Sequence, residues 1–155
     1  MDITIPITTD SKILVFDIDG CVFDSEHRLH HFLEGRMDEY DSAHVHDVPI
    51  PQGVATYTAL VYSLPGCIPI FVTARGERAR DYTTKQLLAQ FDFSFYLLMR
   101  PDGDITHDML LKPRLLAEVG VQPKDIFLVF EDRASMVREW RRLGVVCYQT
   151  ATGDF

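Results

Sequence analysis

The sequence predicts an α/β fold: a five-stranded, mainly parallel sheet between two layers of helices, with a small or minimal cap. Three observations carry this expectation. Short apolar runs at Lys12–Asp17, Ile68–Val72, Phe95–Leu98, Asp125–Phe130 and Val145–Tyr148 have the length and continuity of strands buried on both faces. Segments with helical signals separate these runs, and strands that alternate with helices pair in parallel through crossovers. Three of the runs end in polar residues: Asp17 and Asp19, then Thr73 and Arg75, then Glu131 and Asp132. Open α/β sheets bind ligands at the carboxyl ends of their strands.

Taken in order, Met1–Ser11 leads into the first strand. Ser25–Val48, rich in His, Asp and Glu, reads as a loop or small cap with a helical turn or two. Ile50-Pro51-Gln52 opens a helix reaching about Ser63, with proline at an early position where its missing N–H is harmless. Val54, Tyr57, Leu60 and Val61 form its apolar stripe, and Pro65-Gly66 ends it. Thr73-Ala74-Arg75-Gly76 follows the second strand, and a helix spans Glu77–Gln90. Pro101-Asp102-Gly103 marks a turn. Ile105–Leu111 looks helical, but Pro113 interrupts it and biases Lys112 away from helical geometry, so a new helix is expected over Pro113–Val119. Arg133–Leu143 is a helix with Gly144 as its cap. Without a repeat, low-complexity tract or linker, residues 1–155 read as one domain.

Composition narrows the functional classes. With 46% hydrophobic and 25% charged residues, the chain has the profile of a soluble globular protein. Fifteen Lys and Arg against 23 Asp and Glu give a net charge of −8. That balance argues against coating nucleic acid by bulk charge, leaves room for a small anionic site, and suits a divalent cation that relieves carboxylate repulsion. Cys21, Cys67 and Cys147 are too widely spaced for a disulfide framework or a CxxC pair, so a reduced, cytoplasmic setting is expected. There is no run long enough to cross a bilayer and no signal-peptide order in Met1–Lys12; no membrane partner is expected. His27, His30, His31, His44 and His46 match no metal motif. Arg138, Arg141 and Arg142 read as a solvated helix face with Trp140 packed inward.

The stretch Ile13–Asp24 concentrates the chemistry. Four apolar residues deliver Asp17 and Asp19, and Gly20 permits a sharp exit. If the strand opens at Asp17, the two acids take different directions. Alone, the stretch also reads as a strand followed by an acidic turn. Its downstream partners separate these readings. Asp17-Ile18-Asp19-Gly20, Thr73, Lys112-Pro113 and Glu131-Asp132 form four motifs in order on successive elements, and in this the sequence resembles the haloacid dehalogenase (HAD) superfamily of phosphotransferases. The resemblance implies a Rossmann-like (HAD-type) three-layer sandwich with Asp17 as nucleophile, forming an aspartyl phosphate. Asp19 would protonate the leaving oxygen and then activate water; two close acids raise the proton affinity of one of them, as a general acid needs. Mg2+ would be held by Asp17, the Asp19 carbonyl, Asp132 and, as an open choice within the pair, Glu131. Thr73 and Lys112 would hold phosphate oxygens, with Lys112 catalytic and Thr73, Ala74 and Arg75 lining the substrate site.

A second resemblance covers nearly the whole chain. Tyr96–Lys112, Glu131-Asp132-Arg133, Val137–Val145 and Thr152–Phe155 are similar to the 3′-phosphatase domains of phage polynucleotide kinase–phosphatases. It implies that Arg28 and Arg75 bind substrate and that Asp108 holds Lys112 or an arginine. Cys21 stands where threonine is usual, and Glu131 where aspartate is. No kinase phosphate loop is present, since no two of the nine glycines are five apart. The expected function is therefore a Mg2+-dependent 3′-phosphatase acting on DNA or RNA ends, or on nucleotides, without an obligate protein partner, in the host cytoplasm if phage-encoded. The alternatives are a 5′-nucleotidase or small-metabolite phosphatase, and an inactive module that binds phosphorylated ends.

Overall fold

The computed structural model describes residues 4–153. Met1–Ile3 of the expected lead-in and Asp154–Phe155 of the C-terminal motif lie outside the described residues. The chain runs β1 (Lys12–Phe16), β2 (Phe23–Asp24), α1 (Glu26–Leu33), α2 (Met37–Ser42), β3 (Val48–Pro49), α3 (Pro51–Ser63), β4 (Cys67–Gly76), α4 (Arg80–Leu88), β5 (Tyr96–Arg100), α5 (Asp108–Glu118), β6 (Ile126–Arg133), α6 (Ala134–Arg142) and β7 (Cys147–Gly153). Five strands form one sheet in the order β5-β4-β1-β6-β7, and every pairing in it is parallel.

Alternation along the strands divides the core in two. Ile13, Val15, Ile70 and Val72 face α5 and α6 through Leu111, Leu115, Met136, Val137 and Trp140. Leu14, Phe16 and Phe71 face the other way, toward Tyr57 and Leu87. The expected three-layer architecture follows, because a side-chain period of two sends apolar groups to both sheet faces. Trp140 is fully buried, as expected. Phe16 stacks on Tyr57 with ring centroids 3.9 Å apart. Among the described residues, no helix is long and apolar enough to cross a membrane.

Strand order positions the site. From β1 the chain moves outward to β4 and β5, then crosses back to β6 on the other side of β1. Loops leaving the carboxyl ends of β1 and β6 thus diverge, and a crevice opens between them. Two strands also run further than the sequence suggests. β4 continues past Val72 to Gly76 and β6 past Phe130 to Arg133, each through a register irregularity. Such irregularities re-aim side chains near active sites, here in the segments carrying Thr73, Arg75, Glu131 and Asp132.

Two expectations need correction. Pro113 does not break a helix: α5 runs unbroken through it, beginning at Asp108 rather than Ile105. The ring removes one donor, the N–H directed at the Met109 carbonyl, whereas Leu111, Lys112, Leu115 and Leu116 are all buried along the helix. Tertiary packing of that face outweighs the local penalty. The 25–48 region is also more ordered than a loop with a turn or two. It holds α1, α2 and a 3-10 turn at Ala43–His46, and β2 and β3 pair antiparallel at its base.

Helix α3 lies hard against the turn that follows Asp19. A Cβ on Gly53 would overlap the Cys21 backbone carbonyl. Alanine is better than glycine in a helix interior by about 0.8–1 kcal/mol, yet Gly53→Ala is expected to lower stability in urea denaturation by about 1–3 kcal/mol. A stabilised variant would show that α3 can move off this turn freely.

Candidate active site

The two aspartates of the first motif part company as soon as β1 ends. The Asp17 N–H donates to the Phe130 carbonyl at 3.0 Å, so Asp17 still belongs to the β1–β6 ladder. The chain then turns tightly, with the N–H groups of Cys21, Val22 and Phe23 all directed at the Ile18 carbonyl and Gly20 at φ 74°. Asp17 accepts from Lys112 Nζ at 2.6 Å, and the same ammonium donates to Glu131 Oε2 at 2.6 Å. Asp19 points elsewhere, accepting from Arg28 Nη2 at 2.6 Å and Arg75 Nη2 at 2.7 Å. Thr73 is buried, and its Oγ1 accepts the Arg75 N–H at 3.1 Å.

Proton affinities follow these partners. Burial, then the neighbouring Glu131 charge, pushes Asp17 well up against the pull of Lys112. Burial acts against the Lys112 ammonium, but Asp17 and Glu131 outweigh it and hold the lysine protonated. Asp132 is raised to about 6, by burial first and by Asp17 next. Asp19 moves in the opposite direction. Burial would raise it, but Arg75 and Arg28 prevail and lower it to about 2. Of the two close acids, the one with raised proton affinity is Asp17.

Arg28 and Arg75 meet a second acid that sequence reasoning missed. Asp47 accepts from Arg28 Nε at 2.9 Å and Arg28 Nη2 at 2.8 Å, and from Arg75 Nη2 at 2.8 Å; His27 Nε2 lies 2.8 Å from its Oδ1. Two arginines and two aspartates make a charge-balanced lattice between cap and sheet, buried except for the partly exposed Asp19. The Tyr40 ring covers the Arg28 guanidinium at 4.4 Å, and Gln86 accepts from Arg75 Nη1 at 2.8 Å. Asp108 holds arginines rather than Lys112. Its two oxygens accept from Arg100 Nη2 and Arg133 Nη1, each at 2.6 Å. Arg100 Nε in turn donates to the Ala74 carbonyl at 3.1 Å. A cleft of about 1230 Å3 gathers every residue singled out from the sequence: Asp17, Asp19, Arg28, Thr73, Ala74, Arg75, Asp108, Lys112, Glu131 and Asp132.

Residues 11–155 match the family model for the polynucleotide kinase PNKP phosphatase domain. The chain belongs to this family. It is 26% identical over 135 residues to a protein of Autographa californica nuclear polyhedrosis virus described as a candidate bifunctional polynucleotide kinase/RNA ligase, a match covering 86% of this chain and 18% of the viral one. Its fold is similar to a chain in the Pnkp1/Rnl/Hen1 complex, with TM-score 0.75, 26% identity, and coverage of 96% of this chain and 49% of that one. A haloacid dehalogenase-like hydrolase from Streptococcus pneumoniae shares the fold at TM-score 0.64 and 12% identity, with 96% of each chain covered. The chain thus spans about half of the chain in the complex and under a fifth of the viral relative.

PNKP phosphatase domains are HAD-type, a superfamily that implies Mg2+, and the donor set here fits that ion. The Asp17 and Asp132 carboxylates present ligand atoms within 4.8 Å of one another. The Asp132 carboxylate fills the place where a Cβ on Gly20 would stand, so glycine in the first motif makes room for it. Lys112 is the cation hydrogen-bonded between Asp17 and Glu131, while Asp17, Glu131 and Asp132 supply three carboxylates, and hard oxygen donors in excess of positive charge suit Mg2+. Within the Glu131–Asp132 pair, Glu131 accepts from Lys112 and the Asp132 carboxylate lies beside that of Asp17.

Asp47 left one signal in the sequence: two arginines expected in a small site require acids to balance them, and Asp19 alone is not enough. If the lattice fastens the cap, Asp47→Asn should cost about 3–5 kcal/mol in urea denaturation, because it strands buried guanidinium charge. Residues 25–48 should also become the first segment cut in limited proteolysis. A loss under about 1 kcal/mol with unchanged cleavage would contradict that role.

Proposed function

We propose that the chain is a Mg2+-dependent polynucleotide 3′-phosphatase that hydrolyses 3′-terminal phosphomonoesters through a phosphoaspartate on Asp17. One observation carries the reading within the PNKP phosphatase family: Asp17 sits at the crevice end of β1, in contact with Lys112, while Asp19 beside it is held by two arginines. Nucleophile, acid and anion-binding cations share one cleft.

Each residue then has a task. Asp17 attacks phosphorus as the carboxylate, which Lys112 favours by neutralising it. The bond to the sugar 3′-oxygen breaks, and Asp19 supplies the proton that oxygen takes up. A carboxyl lowered to about 2 is a poor acid while both arginines hold it. Arg28 and Arg75 carry hydrogen-bond donors that a phosphate dianion attracts strongly. As they share themselves with the phosphate, Asp19 regains proton affinity, so substrate arrival prepares its own acid. Asp19 later takes a proton from the water that attacks the acyl phosphate. Thr73 and Lys112 hold phosphoryl oxygens through both steps. Mg2+ held by Asp17, the Asp19 carbonyl and Asp132 would supply charge neutralisation at the phosphoryl group. Splitting the reaction into two displacements matters because phosphate monoesters are among the slowest substrates to hydrolyse unaided.

Two relatives, a viral candidate bifunctional polynucleotide kinase/RNA ligase and a chain of the Pnkp1/Rnl/Hen1 RNA repair complex, favour RNA ends as the first substrate to try.

A panel of 3′-phosphorylated RNA and DNA oligonucleotides, nucleoside 3′- and 5′-monophosphates and sugar phosphates tests the reading. Phosphate release should be fastest from 3′-phosphorylated ends, stop with EDTA and return with Mg2+. Preference for 5′-nucleotides or sugar phosphates would replace the substrate assignment; binding of ends without hydrolysis of any ester would leave a binding module. Asp17→Asn should lower turnover by at least about 10⁴-fold, and substantial retained turnover would sink the mechanism.

A further inference from the structure

The phosphate chemistry occupies the floor of the cleft, whereas its volume, about 1230 Å3, exceeds the roughly 300–1,000 Å3 of a small-molecule pocket. The remaining space has a different lining. Ile105, in the loop between β5 and α5, is 97% exposed, and Met37, at the start of α2, is 46% exposed. Both line the cleft, one from the sheet side and one from the cap.

The exposure of Ile105 is built into its loop. Arg100 Nη1 donates to the carbonyls on either side, Asp104 at 3.1 Å and Thr106 at 2.6 Å. The Thr106 N–H is held by Asp104 Oδ1 at 2.8 Å. The backbone around Ile105 is thereby pinned, and the apolar side chain is presented to water rather than folded against the protein. On the cap side, the ring of Phe32 also lines the cleft, with the Arg133 guanidinium 5.4 Å from its centroid. Arg133 and Arg100 share Asp108, so one ionic chain braces both walls.

The charge at the rim points away from a polyanion track. Arg78, which lines the cleft, is held by Asp41 at 2.5 Å and lies 3.6 Å from Asp38. A nucleotide's uncharged part with broad apolar faces is its base. Resting on the proposed 3′-phosphatase reading, we infer that Ile105 and Met37 form an apolar clamp for the nucleobase of the terminal nucleotide, the part of a single-stranded end that carries the scissile phosphate.

The test compares two 3′-phosphorylated oligonucleotides of equal length that differ only in whether the terminal sugar carries a base or is abasic. Apolar contact with an unstacked base is expected to give the wild-type chain about a tenfold preference in kcat/KM for the base-bearing end. Ile105→Ser and Met37→Ser should each shrink that ratio, and the double variant should bring it close to one. A purely structural effect would lower both substrates together and leave the ratio intact. The ratio is thus the readout, with thermal midpoints confirming that each variant is folded. Equal rates in the wild type, or a preference surviving in the double variant, would overturn the clamp. No release from either end by a wild-type chain that hydrolyses p-nitrophenyl phosphate would overturn the 3′-phosphatase reading itself.

Discussion

The structure depends on the lattice in which Arg28 and Arg75 are shared between Asp19 and Asp47. Within residues 25–48 the buried side chains are Arg28, His44 and Asp47, all polar. No apolar side chain of the cap is fully buried, although Leu29, Phe32 and Tyr40 are partly so, and charge pairing therefore takes a large share in docking it. Its attachments include the lattice, the Arg78–Asp41 ion pair, the Arg133–Phe32 contact and hydrogen bonds from Tyr82 Oη to the Val45 carbonyl at 2.8 Å and from Gln86 Nε2 to the His44 carbonyl at 3.1 Å. Burying four charges is expensive unless every one is paired. The four side chains meet this demand with bidentate and bridging contacts. The same contacts place two guanidinium groups beside the Asp17–Lys112 pair, so cap position and active-site charge are set by one set of bonds.

The sheet edge divides its charges unevenly. The lattice side balances two arginines against two aspartates. The crevice side sets Lys112 against Asp17, Glu131 and Asp132, and the proton affinities of Asp17 and Asp132 rise accordingly. The first side answers to an anion that competes for arginines, the second to a cation that relieves carboxylates. Under the proposed reading, a phosphate ester presented with Mg2+ would offer both.

The fold was largely legible because each strand carries its own record. Continuous apolar runs mark β1, β4 and β6, and their polar ends mark the edge that carries the candidate site. What local pattern could not supply was the outcome of competition with packing. Pro113 reads as a break, and only the buried face of α5 reveals why it is tolerated. Arg28 stood out through family resemblance alone, since a single arginine in a polar stretch has no periodicity to declare it. Asp47 had neither motif nor period, and its importance comes from the two arginines that the fold brings to it from α1 and β4. Spacing shows that two acids are neighbours, but not that two cations sit on one of them, Asp19, and lower its proton affinity. Glu131 and Asp132, adjacent in sequence, are sorted by the backbone at the end of β6, which sends one to Lys112 and the other to Asp17.

The measurement that bears most directly on the proposed chemistry is chemical trapping of the acyl phosphate. The wild-type chain, turning over a 3′-phosphorylated oligonucleotide with Mg2+, would be quenched with borohydride, which reduces an aspartyl phosphate to homoserine, and mapped by peptide mass spectrometry. The expected result is homoserine at position 17, appearing only when substrate is present. Phosphate release with position 17 unmodified and another carboxylate reduced, Asp19 above all, would contradict the assignment of Asp17 as nucleophile.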